Sequence, residues 1–146
     1  MRARHLVAVL GLASLVACGE GGDRLMGPNA PRLSSTDRLV TLSGGTYERH
    51  LSGPTSFVWY SGGYIEVQQI TGTTVTTIAN IDAVWSGGTD YTQPAGSQFK
   101  LIAHPYSGCS LYHWAADSSW VSSASSIIID NWPNASEFRG EFLCQV

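Results

Sequence analysis

The chain has 146 residues, 13% of them charged and 43% apolar, with a formal net charge of −3. That length suits a single domain. Lys100 is the only lysine and the arginines are scattered, so no basic cluster exists to release counterions from nucleic-acid phosphates or to hold an anionic membrane surface.

In chain order, Arg2, Arg4 and His5 make a basic start and an apolar run follows over residues 6–17. A charged opening, a short apolar run and a small residue before the cut form a secretory signal. About a dozen apolar residues cannot cross a hydrocarbon core that needs roughly 20. The run ends in Leu15-Val16-Ala17-Cys18, which resembles the lipobox of bacterial lipoproteins. That resemblance implies a signal peptide over 1–17 and acylation of Cys18, which becomes the first residue after cleavage. Gly19, rather than Asp, then implies the outer membrane of the cell envelope. The lipid does the anchoring. Removal of the leader takes both of its arginines, leaving six Lys and Arg against eleven Asp and Glu, a net −5.

Residues 18–38 carry glycines, prolines and no apolar period, and read as a tether below a domain over 39–146. Twenty such residues span roughly 25 Å, enough to lift the domain clear of headgroups. With Cys18 given to lipid, Cys109 and Cys144 are an even pair in an oxidising compartment, and a disulfide is the expectation. The competing reading is a metal site, because Cys109 and His113 have Cys-x₃-His spacing and His104 lies near in sequence.

From Leu39 onward nothing repeats at 3.6 residues, and short β-branched and aromatic runs alternate with turn signals every 8–12 residues. This predicts an all-β, antiparallel β-sandwich. Strands are predicted over 46–51, 57–60, 64–68, 75–79, 81–85, 99–103, 111–115, 127–129 and 141–146. The run at 57–60, apolar on both sides, reads as a central strand, with Trp59 in the core. Gly62-Gly63 reads as its hairpin turn into 64–68. Trp59-Tyr60-Ser61-Gly62-Gly63 and Trp85-Ser86-Gly87-Gly88 echo each other weakly, as a duplicated hairpin would.

In the C-terminal half, Phe99, Leu101 and Ala103 share a face, Tyr112 and Trp114 share another, and Phe142, Cys144 and Val146 a third. Gly96-x-x-Phe99-x-Leu101, then Tyr112-His113-Trp114, then 126–129, then Gly140-Glu141-Phe142-Leu143-Cys144 resemble strands B, C, E and F of immunoglobulin-like and PKD-type surface domains. Phe142 takes the place of the corner tyrosine without its hydroxyl. Cys109 falls between B and C rather than within B, so the usual inter-sheet bridge is not reproduced. Only Glu137 approximates the acidic residue expected before the corner. No strand G follows; either an N-terminal strand at 39–42 fills that edge or it stays open to another chain.

No metalloprotease helix, nucleophile elbow, dinucleotide fingerprint or phosphate loop is present. His104 and His113 flank a predicted turn, which could bring them together in space. Asp90, Asp117 and Asp130 are expected to make local turns. No enzyme activity, cofactor or metal is expected. Trp114 reads as core, while Trp85, Trp120 and Trp132 sit near turns, either as ligand-binding rings or as covers for the sandwich ends. The resulting expectation is a monomeric, lipid-anchored binding or structural domain whose partner is a surface protein, with a glycan held by Trp85, Trp120 and Trp132 as the alternative. Coplanar exposed tryptophans in a groove favour the glycan, and a flat apolar patch or bare edge favours the protein.

Overall fold

A computed structural model describes residues 33, 35–49, 56–85 and 87–145. Cys18, the leader, nearly all of the tether and His50 lie outside the described residues. Ten strands form: β1 (Arg38–Arg49), β2 (Ser56–Val58), β3 (Gly63–Thr71), β4 (Thr74–Asp82), β5 (Thr89–Gln93), β6 (Ser97–Pro105), β7 (Cys109–Ala116), β8 (Ser119–Ser122), β9 (Ser126–Ile128) and β10 (Glu137–Gln145). A short 3₁₀ turn, Ile129–Asn131, follows β9.

The strands build two sheets packed as a sandwich, as predicted. The first has the order β2-β1-β10-β7-β8, and β5 pairs with the first half of β1. The second has the order β4-β3-β6-β9. All pairs are antiparallel except β1 with β10. The segments resembling strands B and E pair as β6 with β9, and those resembling C and F pair as β7 with β10, in opposite sheets. That is the partition of an immunoglobulin-type sandwich. β1 takes the place left for strand G, so the N-terminal strand does fill that edge.

Alternation sets the core. Val40 and Leu42 of β1, Ile65 and Val67 of β3, Phe99 and Leu101 of β6, Trp114 of β7, and Phe138 and Phe142 of β10 meet between the sheets. Trp114 is fully buried and its indole N–H donates to the Ala124 carbonyl at 2.8 Å. Cys109 and Cys144 are bonded and lie directly opposite each other on β7 and β10, within one sheet, with Cα atoms 4.0 Å apart.

Four expectations are corrected. The run at 57–60 is not a central strand. Only Ser56–Val58 is extended, at an edge, and Trp59 is 73% exposed. Nor is Gly62-Gly63 a hairpin turn, because β2 and β3 belong to different sheets. The glycines are needed for close passage: a Cβ would lie 2.8 Å from the Cys144 sulfur at Gly62 and 2.5 Å from the Phe142 ring at Gly63. The true hairpin comes one turn later, at Gly72-Thr73 between β3 and β4, with Gly72 at φ +59°. It makes residues 75–79 and 81–82 one strand, and Trp85 falls beyond it, so the two Gly-Gly segments are not duplicated hairpins.

Asp117 does lie in a turn, the one between β7 and β8, with φ +45°, but the carboxylates of all three acidic residues bond to partners distant in sequence. The Asp117 carboxylate accepts the backbone N–H of Glu137 at 2.9 Å, and Asp90 accepts the Thr41 hydroxyl at 2.6 Å. Asp130 is buried, accepts Gln93 Nε2 at 2.8 Å and lies 3.9 Å from Arg38. Burial pushes its carboxyl above the ordinary range despite those partners.

Candidate functional site

The outward residues of the first sheet bring together side chains that are far apart in sequence. On β1, Gly44 and Thr46 face the core, so Gly45 and Tyr47 face out. Trp85 lies across Gly45, where a Cβ would come within 2.6 Å of its ring. Its indole N–H donates to the Thr46 carbonyl at 3.0 Å. Only glycine leaves room for that ring to lie flat on the sheet. Gly45→Val is expected to cost about 1–3 kcal/mol through overpacking and to lift Trp85 from the sheet. Denaturant unfolding and tryptophan emission together check this; unchanged emission with unchanged stability contradicts it.

From Trp85 a row of rings crosses the sheet from β2 to β8. In one direction it contacts Phe57, at 6.1 Å between centroids, and Phe57 contacts Trp59 at 5.7 Å. In the other it contacts Tyr47 at 5.3 Å, then Tyr112 at 6.4 Å. His113 follows at 4.5 Å and Trp120 at 6.3 Å. Neighbouring planes meet edge to face at 67–84°, except Tyr112 and His113, tilted at 51°, so the rings do not form one plane. A bulge in the β7–β10 pairing between Glu141 and Phe142 leaves Tyr112 without a cross-strand partner, beside His113. Trp120 is 69% exposed, and Phe57 and Tyr112 are also exposed.

Beneath the row runs a polar line on β10. The Arg139 guanidinium sits 5.0 Å from the Trp85 ring centroid, and its Nη2 donates to Glu137 at 2.9 Å. Glu141 is buried; its Oε2 lies 2.9 Å from His113 Nε2 and its Oε1 3.8 Å from Arg139. Burial and the Glu141 carboxylate raise the Tyr47 hydroxyl pKa. The ions are thus paired to one another, and the rings outside them remain open to contact.

Of the three tryptophans singled out in the sequence, Trp85 and Trp120 stand in this row and Trp132 does not. Trp132 packs half-buried against the core and lines a cavity of about 380 Å³ with Lys100, Ser126 and Asn131. Sequence reasoning missed Phe57, Trp59, Tyr47 and Tyr112. The i, i+2 spacing of Phe57 and Trp59 does signal a shared face, but not which face.

His104 and His113 do not meet. His104 lies on the outer face of the second sheet, stacked on Tyr64 at 4.6 Å with its Nε2 2.9 Å from Glu66. Among the described residues no group of three or more His, Cys, Asp or Glu is placed to hold a metal. The Glu66 carboxylate also accepts the Thr77 hydroxyl at 2.6 Å and Gln68 Nε2 at 2.8 Å. These bonds, the Thr77 one foremost, lower its pKa from 4.5 to about 2. A depressed folded pKa means this contribution is complete above the ordinary carboxylate range and lost as pH falls from 4.5 toward about 2. In a carboxyl NMR titration, Thr77→Val is expected to move the Glu66 midpoint back up. An unmoved midpoint contradicts that assignment.

No protein-family model, no curated protein and no solved structure matches the chain.

Proposed function

We propose that this chain is a binding domain, held at the bacterial cell envelope by a lipid on Cys18, whose outer β2-β1-β10-β7-β8 face takes a protein partner. The observation that carries this reading is the row from Trp59 to Trp120, with Phe57, Trp59, Tyr112 and Trp120 exposed and the rings between them half-buried, over a line of internally paired ions. Trp, Tyr and Arg dominate the energy of protein interfaces, and large exposed apolar areas on a monomer mark contact sites. Inclined rings favour a protein surface over a sugar chain, which stacks on parallel platforms. Glu141, Arg139 and His113 already satisfy one another, so this reading asks for no reaction there. The row and Cys18 belong to one arrangement, in which the lipid positions the domain and the tether gives it reach.

Two experiments test this. Cys18→Ala in the full chain is expected to shift the protein from the membrane to the soluble fraction while the domain stays folded; continued membrane association contradicts the anchor. For the face, a photo-cross-linking residue replaces Trp120 in the full chain in cells, with Gln68 on the opposite sheet as control. A discrete protein adduct at 120, absent at 68 and reduced by Trp59→Ala, is expected. Equal labelling at both positions contradicts the reading. Retardation by polysaccharide that Trp120→Ala abolishes, with no protein adduct, replaces the protein partner with a glycan.

A further inference from the structure

The sandwich has several outer strands, and their lengths are unequal. Among the described residues, β2 and β9 have three residues, β8 has four and β5 has five, whereas β4 has nine. Short edges limit pairing with foreign strands, and so do Lys, Pro and inward charges. β4 has none of these. From Val67 through Ile81 the β3–β4 hairpin contains no Asp, Glu, Lys, Arg or Pro. Residues Thr74 to Ile78 are all exposed, and Val75 is 55% exposed. Every second residue of β4 turns its N–H and C=O away from β3, and among the described residues no strand receives them. The bulge in this hairpin falls between Val67 and Gln68, so residues 74–77 remain regular.

We propose that two copies of this chain pair through β4, antiparallel, about a two-fold axis at Val75. The axis stands perpendicular to the sheet, so each side chain keeps its face and the contact is self-complementary. Val75 meets Val75 of the second copy, and Thr74 meets Thr76. Thr–Thr and β-branched cross-strand pairs stabilise such a contact, and no like charges are opposed. Neutral threonine and valine fit the same segment of a second copy. A charged partner strand would gain no ion pair on β4. The pairing is confined to one nine-residue edge strand, whereas a stable soluble dimer buries about 1,200–2,000 Å². The monomer expected from the sequence is therefore the dilute state, and pairing appears where chains are concentrated. The proposal is independent of the aromatic row, which lies on the other sheet.

The test is cross-linking of the concentrated full-length chain. Val75→Cys is compared with Asn134→Cys, an exposed loop control, under a mild oxidant, and dimers are read on non-reducing gels. Any contribution from Cys18 is common to both variants. The expected result is a severalfold excess of disulfide-linked dimer for Val75→Cys, brought to the control level when Thr76→Lys is added. The near-ultraviolet signal of buried Trp114 verifies that each variant is folded. A dimer yield no greater than that of Asn134→Cys overturns the proposal, as does a yield that Thr76→Lys leaves unchanged.

Discussion

Trp114→Ala is expected to remove about 3–5 kcal/mol of stability, while Trp59→Ala changes it by less than about 0.5 kcal/mol. Both tryptophans lie in short β-forming runs of the sequence, and both read as core. They differ in what covers them. The Trp114 indole is wholly enclosed, its ring edge lies against the Gly140 backbone, and its N–H satisfies the Ala124 carbonyl. Truncation leaves a large cavity between the sheets and removes the indole's hydrogen bond to the Ala124 carbonyl. Trp59 stands 73% exposed, and its ring meets Phe57 edge to face at 5.7 Å. Guanidinium unfolding of the two variants measures the difference directly. Similar losses for both would mean that Trp59 is buried and that the row does not exist as described.

The second large effect is at the bridge. Cys109 and Cys144 close a loop of 35 residues, which the chain-entropy model values at roughly 3–4 kcal/mol. Cys144→Ser is expected to lower the melting temperature by roughly 10–20 °C. The bridge joins neighbouring strands β7 and β10, whose ladder persists without it, so the variant should still fold at low temperature. Thiol labelling gives the parallel check: the parent domain takes up no reagent at these positions, and the variant takes it up at Cys109. An unchanged melting temperature would show that the unfolded chain is equally restricted without the bond.

How far these features are legible in the sequence depends on which interaction fixes each one. Phe99, Leu101 and Ala103, and again Phe142 and Cys144, alternate cleanly, and the face that parity assigns to them is the core face. The cysteine pairing follows from the number left once Cys18 is set aside. β1 is harder to see, because Gly44-Gly45 interrupts it. Those glycines are there so that Ala83 and Trp85 can pass against the strand, a contact made across some 40 positions. The polar β5 and β8 carry little strand signal of their own and are held by β1 and β7. The aromatic row is the least legible element. It depends on the parallel β1–β10 register, which places Gly45 opposite Glu141 and brings Tyr47 level with β7 through β10. Apolar composition alone sent Phe57 and Trp59 inward, whereas an edge position and an open outer face leave them outside.

The most direct measurement is hydroxyl-radical footprinting of the aromatic side chains in intact cells and in the purified full-length chain. Phe57, Trp59, Tyr112 and Trp120 are exposed and share the row, and Tyr106 is exposed outside it. If the row is a binding face, its four residues are oxidised in the purified chain and protected in cells, while Tyr106 is oxidised equally in both. Equal oxidation of the row in cells and in isolation would contradict the assignment of this face to a partner.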